Sequence, residues 1–245
     1  MIRKLTIDEG NSSTKLALWH DNVMVREVTC RLGETSAAEA LSGTELPVDR
    51  AIFCSVCGRD HDAVERELSK IARKVIVLDA STPLPIRLGY RTPKTLGADR
   101  IAAAAGAAVV SPGRTTLVVD MGTAITYDVL EADGTFIGGN IAPGIFVRLE
   151  ALHHFTKALP LVETDGDTPR WGYDTETALR SGAIRGVVGE LQYYRHCLPG
   201  DCPTAVILTG GSADLIIPYI TSPIIVEPNL VLIGLNSILN YNEDK

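Results

Sequence analysis

Two stretches of this chain echo each other. Residues 7–19 read IDEGNSSTKLALW and residues 119–131 read VDMGTAITYDVLE. Each is an apolar strand ending in Asp, then x-Gly, then small hydroxyl or amide residues, then a second strand; a third strand follows both. The copies lie 112 residues apart (119 against 7) in a chain of 245. A unit repeated at nearly half the chain length predicts two similarly built lobes. Ser111-Pro112-Gly113 supplies a break between them, so the expected domains are 1–112 and 113–245.

The remaining pattern is mixed α/β. Strands are expected over 5–8, 14–19, 24–30, 51–55, 74–78, 115–120, 124–130, 135–141, 204–208 and 223–226. Helices are expected over 60–72, 98–110, 145–156, 175–196 and 230–241, with a short one after Gly211. Hydrophobic residues make up 45% of the chain and charged residues 22%, which supports a real core and excludes wholesale disorder. A net charge of -7 argues against nucleic acid or an anionic membrane as partner. The opening MIRKLTIDEG turns polar where a secretory leader would run apolar. The longest apolar run, 101–110, falls short of the about 18 residues a membrane helix needs. Five cysteines (Cys30, Cys54, Cys57, Cys197, Cys202) do not read as a disulfide framework. A cytoplasmic protein is expected.

Four motifs carry chemistry. In Asp8-Glu9-Gly10-Asn11-Ser12-Ser13 the glycine permits a tight turn, whose N–H groups and hydroxyls suit phosphate oxygens. Asp8, at a strand end, can hold a hydrated Mg²⁺ beside them. Asp120-Met121-Gly122-Thr123 repeats the arrangement, so two lobes could offer facing hairpins to one polyphosphate. Ordinary hairpins that share turn chemistry are the plainer reading, which the repetition in register disfavours. Gly138-Gly139-Asn140-Ile141-Ala142-Pro143-Gly144 and Leu208-Thr209-Gly210-Gly211-Ser212 each place Gly-Gly after an apolar strand and before a helix, which would turn its N-terminal dipole to a ligand.

In this order and spacing the four segments resemble the actin-like ATPase and sugar-kinase superfamily. Together with Tyr90, Pro93 and Gly97-Ala98-Asp99-Arg100, they resemble type III pantothenate kinases over residues 5 to about 235. The resemblance implies two ribonuclease-H-like, actin-like lobes, each a mixed sheet flanked by helices, with ATP between them. It implies an enzyme that transfers the γ-phosphoryl of ATP to the primary hydroxyl of pantothenate, the first step towards coenzyme A. Asp99 matches the general base. Tyr90, Gly97, Ala98, Asp99, Arg100 and Thr175 match pantothenate-binding positions. Asp8, Glu9, Gly10, Asn11, Ser12, Ser13, Thr14 and Lys15, with Thr123, match ATP-binding positions. Asp120 matches the ligand of a monovalent cation, K⁺ or NH₄⁺, needed beside Mg²⁺. The family works as a homodimer.

Several residues keep a second reading. Asp99 precedes a run of alanines, and a helix cap is compatible with its role as base. Thr175 also opens a helix and could cap it. Lys15 could be a solvated strand residue, and Tyr90 a packed aromatic. Glu9 stands where the family has an aliphatic residue, and period-two alternation turns it away from Asp8. Cys54, Cys57 and His61 make half a zinc motif and read better as thiols at a strand end. A kinase for another small alcohol, a non-catalytic nucleotide-binding regulator and a filament subunit are the rival functions.

Overall fold

The computed structural model describes residues 1–31, 37–44, 46–200 and 203–243, so Cys202 lies outside them. The chain runs β1 (Arg3–Glu9), β2 (Ser13–His20), β3 (Val23–Arg31), α1 (Ala37–Ala40), β4 (Val48–Ser55), α2 (His61–Leu68), β5 (Ala72–Val77), β6 (Arg87–Leu88) and α3 (Ala98–Val110). It continues with β7 (Thr115–Met121), β8 (Ala124–Leu130), β9 (Thr135–Pro143), α4 (Ile145–Phe155), α5 (Thr175–His196), β10 (Thr204–Thr209), β11 (Ile225–Val226) and α6 (Leu230–Tyr241). Two compact units result. One comprises Met1–Pro112, Gly134–Ile137 and Asn229–Lys245; the other comprises Gly113–Asp133 and Gly138–Pro228. The chain leaves the first unit after Pro112, where a break was expected. Helix α6, expected with the second lobe, packs with the first unit.

The first sheet has the order β3-β2-β1-β4-β5. Strands β1 to β3 are antiparallel neighbours, and β4 and β5 continue in parallel beyond β1. The second sheet has six strands in the order β6-β9-β8-β7-β10-β11, with β7 antiparallel to β8 and parallel to β10 and the short β6 parallel to β9. Counted from β7 and leaving aside the two-residue β6, the second sheet is 3-2-1-4-5 like the first, so the echo in sequence is a repeated topology.

Alternation along the strands sets the layers. Leu5 and Ile7 of β1, with Leu16, Leu18 and Phe53, form a core with Val64 and Leu68 of α2. Lys4, Thr6 and Asp8 therefore turn to the opposite face, where α6 and α3 lie against the central strands. There the Trp19 indole donates to Thr6 Oγ1 at 2.9 Å, and Lys4 Nζ donates to Asn240 Oδ1 on α6. In the second unit Leu117, Val119 and Met121 of β7 pack with Ile145, Ile184 and Val187 from α4 and α5, which turns Asp120 to the other face.

Several elements differ from expectation, among them the unforeseen α1 and β6. Helix α2 stops at Leu68 instead of running to residue 72, because Ile71 and Ala72 enter the core and Ile71 O accepts the N–H of Val48 at 2.9 Å. The expected strand at 74–78 accordingly starts at Ala72. After Gly211 the chain makes two 3₁₀ turns, Ala213–Leu215 and Ile217–Tyr219, and no α-helix. Pro218 lacks an N–H and sits at the start of the second turn, so no α-helix runs on through it and the helix dipole expected there is missing. Among the described residues no helix is long and apolar enough to cross a membrane.

Candidate active site

In the first unit the Asp8 motif closes on a hydrogen bond from Gly10 N to Ser13 O, 2.9 Å. Asn11 and Ser12 are exposed, while Ser13 and Thr14 are half-buried. The register sets Asp8 opposite Lys15 on β2 and beside Cys54 on β4, so one face of the sheet carries the carboxylate, the ammonium and the thiol together. Lys15 is thus a neighbour of Asp8 on this face. Glu9 points the other way, as alternation requires. It is 6% exposed, and its carboxylate accepts Ser55 Oγ at 2.7 Å and Arg59 Nη1 at 3.0 Å. That side chain is committed away from any phosphate held on Asp8's face. Beyond β4 the chain folds back on the turn: Val56 N donates to Glu9 O at 3.2 Å, and the exposed Cys57 thiol donates to Gly10 O at 3.3 Å.

Asp99 is the second residue of α3, and the N-cap is Gly97, which offers no side chain. The Asp99 carboxylate accepts Arg100 N at 2.8 Å and folds back over Gly97, where a β-carbon would overlap Asp99 Oδ1. Asp99 therefore is not the cap itself. Burial raises its proton affinity above the ordinary carboxylate range; the backbone N–H and charge of Arg100 oppose that shift without cancelling it. Cys54 reveals where the two carboxylates lie. Its thiol is 1% exposed, and burial pushes its pKa well up. The charges of Asp8 and Asp99 add to the rise, as does a hydrogen bond from the thiol to Asp8. Asp8, from a strand end, is therefore bonded to the Cys54 thiol, and Asp99, from a helix start 91 residues later (99 − 8), lies near enough for its charge to be felt there.

Beside Asp99, Ala98 opens the helix. Arg100 is 6% exposed, its guanidinium 5.7 Å from the ring centroids of both Tyr90 and Phe136. Such contacts hold a cation in a fixed attitude. Tyr90 is thus both a packed aromatic and a wall for Arg100.

In the second unit three motifs converge on one corner. The turn after Asp120 closes from Gly122 N to Ala124 O at 3.1 Å and leaves Thr123 exposed. Gly144, the N-cap of α4, packs so closely that a β-carbon would overlap Gly122 O, and its N–H donates to Thr123 O at 2.9 Å. Gly210, at φ +91°, lies against Asp120 Oδ1 and the N–H of Met121, a conformation and an approach that favour glycine. Asp120 is half-buried beside Thr209 of β10 and opposite Thr126 of β8. Thr175 is the exposed first residue of α5. The cap is Asp174, which forms a capping box with Thr177 (Thr177 N to Asp174 Oδ1, 2.8 Å), so the capping role considered for Thr175 belongs to its neighbour. Among the described residues no three His, Cys, Asp or Glu side chains are grouped so that they could hold a metal ion.

Sequence reasoning missed Cys54 as the thiol that bonds Asp8 and feels the charge of Asp99, because it ends an apolar run and looks like core. It also missed Phe136 as the second wall for Arg100. Neither contact has a local signature.

Residues 4–196 match the family model described as type III pantothenate kinase. A relative from Porphyromonas gingivalis (strain W83), described as type III pantothenate kinase, is 42% identical over 246 aligned positions, covering 97% of this chain and 98% of its own length. Among solved structures, a Campylobacter jejuni protein described as a candidate Baf family transcriptional activator superposes with a TM-score of 0.65 at 21% identity, covering 98% of this chain and 100% of that one. Component A of (R)-2-hydroxyglutaryl-CoA dehydratase from Acidaminococcus fermentans gives a TM-score of 0.53 at 15% identity, with 98% and 97% covered. These structural likenesses show the fold: mixed α/β with two mixed sheets flanked by helices. Matched by the family model over most of its length and by a relative over nearly all of it, the chain belongs to the type III pantothenate kinase family.

Proposed function

We propose that this chain transfers the γ-phosphoryl of ATP to the primary hydroxyl of pantothenate, yielding 4'-phosphopantothenate, the first step of coenzyme A synthesis, as a cytoplasmic enzyme. The observation that carries the reading is the buried Asp99 at the start of α3, its proton affinity raised by burial and its charge felt at the Cys54 thiol that bonds Asp8. Phosphoryl transfer asks a protein mainly for positioning and charge neutralisation. Asp99 orients the hydroxyl and takes its proton as the O–P bond forms; ADP leaves with the electron pair of the bond that breaks. The Gly10–Ser13 turn and Lys15 receive phosphate oxygens, as does Thr123 in the second unit. Arg100, steadied between Tyr90 and Phe136, supplies charge for the pantothenate carboxylate. Gly97, Ala98 and Thr175 complete the substrate contacts.

Mg²⁺ keeps several waters and takes few protein carboxylates, so Asp8 with water and phosphate oxygens is a fitting donor set. Asp120, half-buried among the hydroxyls of Thr126 and Thr209, suits K⁺ or NH₄⁺. Either cation would offset phosphate charge. A homodimer is supported by exposed apolar side chains on α4 and the segment after it, Phe146, Leu152, Phe155 and Trp171, which a second copy would cover.

The test is ADP release with ATP, Mg²⁺ and pantothenate in Na⁺, K⁺ and NH₄⁺ buffers. Pantothenate-dependent release stimulated by K⁺ or NH₄⁺ is expected. Nucleotide binding without pantothenate-dependent turnover in any buffer would overturn the reading and favour a regulator.

A further inference from the structure

A polar cluster in the second unit takes no part in the reaction above, yet it grips the corner at Thr123. Arg148 of α4 makes a two-pronged ion pair with Glu190 of α5, Nη1 to Oε1 and Nη2 to Oε2, both 2.7 Å. Tyr127 of β8 donates its hydroxyl to Glu190 Oε2 at 2.8 Å. The third donor of the guanidinium, Nε, reaches back to Pro143 O at 2.8 Å. Pro143 precedes Gly144, whose N–H holds Thr123 O at 2.9 Å. One guanidinium thus ties α5 and β8 to the residue whose neighbour secures the exposed turn.

The geometry of a fork-on-fork pair is rigid, unlike that of a single-point contact. The protonation states agree with it. Burial alone would lift the Glu190 carboxyl, but hydrogen bonds from Arg148 and Tyr127 prevail and hold it below the ordinary range. Tyr127 is pushed far up by burial and by Glu190, so its hydroxyl remains a donor. A surface ion pair kept for stability alone would not need the third bond to Pro143.

We propose that Arg148, oriented by Glu190 and Tyr127, is a positioning residue that fixes Pro143–Gly144 against the Thr123 turn and thereby sets the affinity for ATP. The inference rests on the reading that this turn receives ATP.

The experiment uses the full chain and compares Arg148→Lys, Glu190→Gln and Thr123→Val for KM of ATP, KM of pantothenate, kcat and Tm. Lysine retains a point charge for Glu190 but cannot also serve Pro143. Arg148→Lys is expected to raise KM for ATP about tenfold and to leave KM for pantothenate and kcat within about twofold, the pattern of lost binding common to ground and transition states. Glu190→Gln is expected to move the same constant by less, and keeps the test open should the lysine variant fail to fold. An unchanged KM for ATP in Arg148→Lys, or in Glu190→Gln if only that variant folds, would overturn the inference, as would both KM values rising together with a fall in Tm. A silent Thr123→Val variant would sink the reading of the turn and this inference with it. A raised KM in Thr123→Val beside a silent Arg148→Lys would sink the inference alone.

Discussion

Asp99 has an unfavourable place for a charge. Its folded-state proton affinity is raised by burial, so between the unfolded and folded pKa values the native state binds the extra proton, and stability falls as pH rises through that window. Removing the charge removes that cost. Asp99→Asn is therefore expected to lower kcat by about 10²–10⁴-fold, while its Tm at pH 7.5 ± ~0.5 equals or exceeds that of the parent. Thermal melts beside ADP-release assays check both; a variant that melts markedly earlier would show that the carboxylate supports the fold. The acid limb of kcat should also lie above about 3.9, the value of an unperturbed aspartate. Cysteine reactivity gives a second residue-scale test. Cys57 is exposed, whereas Cys54 is buried and its thiol is pushed well up. Alkylation of the native protein should mark Cys57 and spare Cys54 until denaturant is added, which peptide mapping by mass would read. At this scale motifs single out residues without telling what they touch. Asp8 and Asp99 stood out by motif, and alternation predicted that Glu9 turns away. That Cys54 bonds Asp8 and feels the charge of Asp99, or that Phe136 backs Arg100, depends on chain segments brought together only by folding.

Helix pairs and corners depend on how closely backbones approach. Where α6 crosses α3, a β-carbon at Gly234 would overlap Ala102 O, which is backbone and cannot swing aside. Gly234→Ala should cost more than about 2 kcal/mol of unfolding free energy in urea titrations, by forced separation of the two helices. Gly182 in α5 offers the contrast, since nothing lies within 4 Å of the added carbon. Gly182→Ala should stabilise by about 0.5–1 kcal/mol through helix propensity. If both changes had the same sign, the close crossing would not be the reason for glycine at 234. Long periodic elements such as α3, α5 and α6 were readable end to end from their patterns. Those cut short by tertiary packing were not: Ile71 leaves the helical pattern to join the core, and the two-residue strand β6 is too short to carry a period. Pro218 was visible, and its effect on the turn after Gly211 follows from proline geometry.

The duplicated motif made the repeated architecture legible across the whole molecule. The assignment of α6 was not, because hydrophobic period reports that a helix has a buried face and not which sheet buries it. Its apolar side chains (Leu230, Leu232, Leu235, Ile238 and Leu239 are all buried) return to the strands made first. The chain consequently passes between units four times, after residues 112, 133, 137 and 228. Ending the polypeptide at Pro228 should leave the β1–β4 face uncovered, and such a fragment is expected to lose its cooperative thermal transition by circular dichroism. A sharp melt in that fragment would show that α6 is dispensable. The return of α6 also sets a timetable for biogenesis. Although its strands emerge earliest from the ribosome, the N-terminal sheet stays half-dressed until more than a hundred later residues have been translated, and through that interval its bare apolar surface is what chaperones, or a neighbouring nascent copy, will meet.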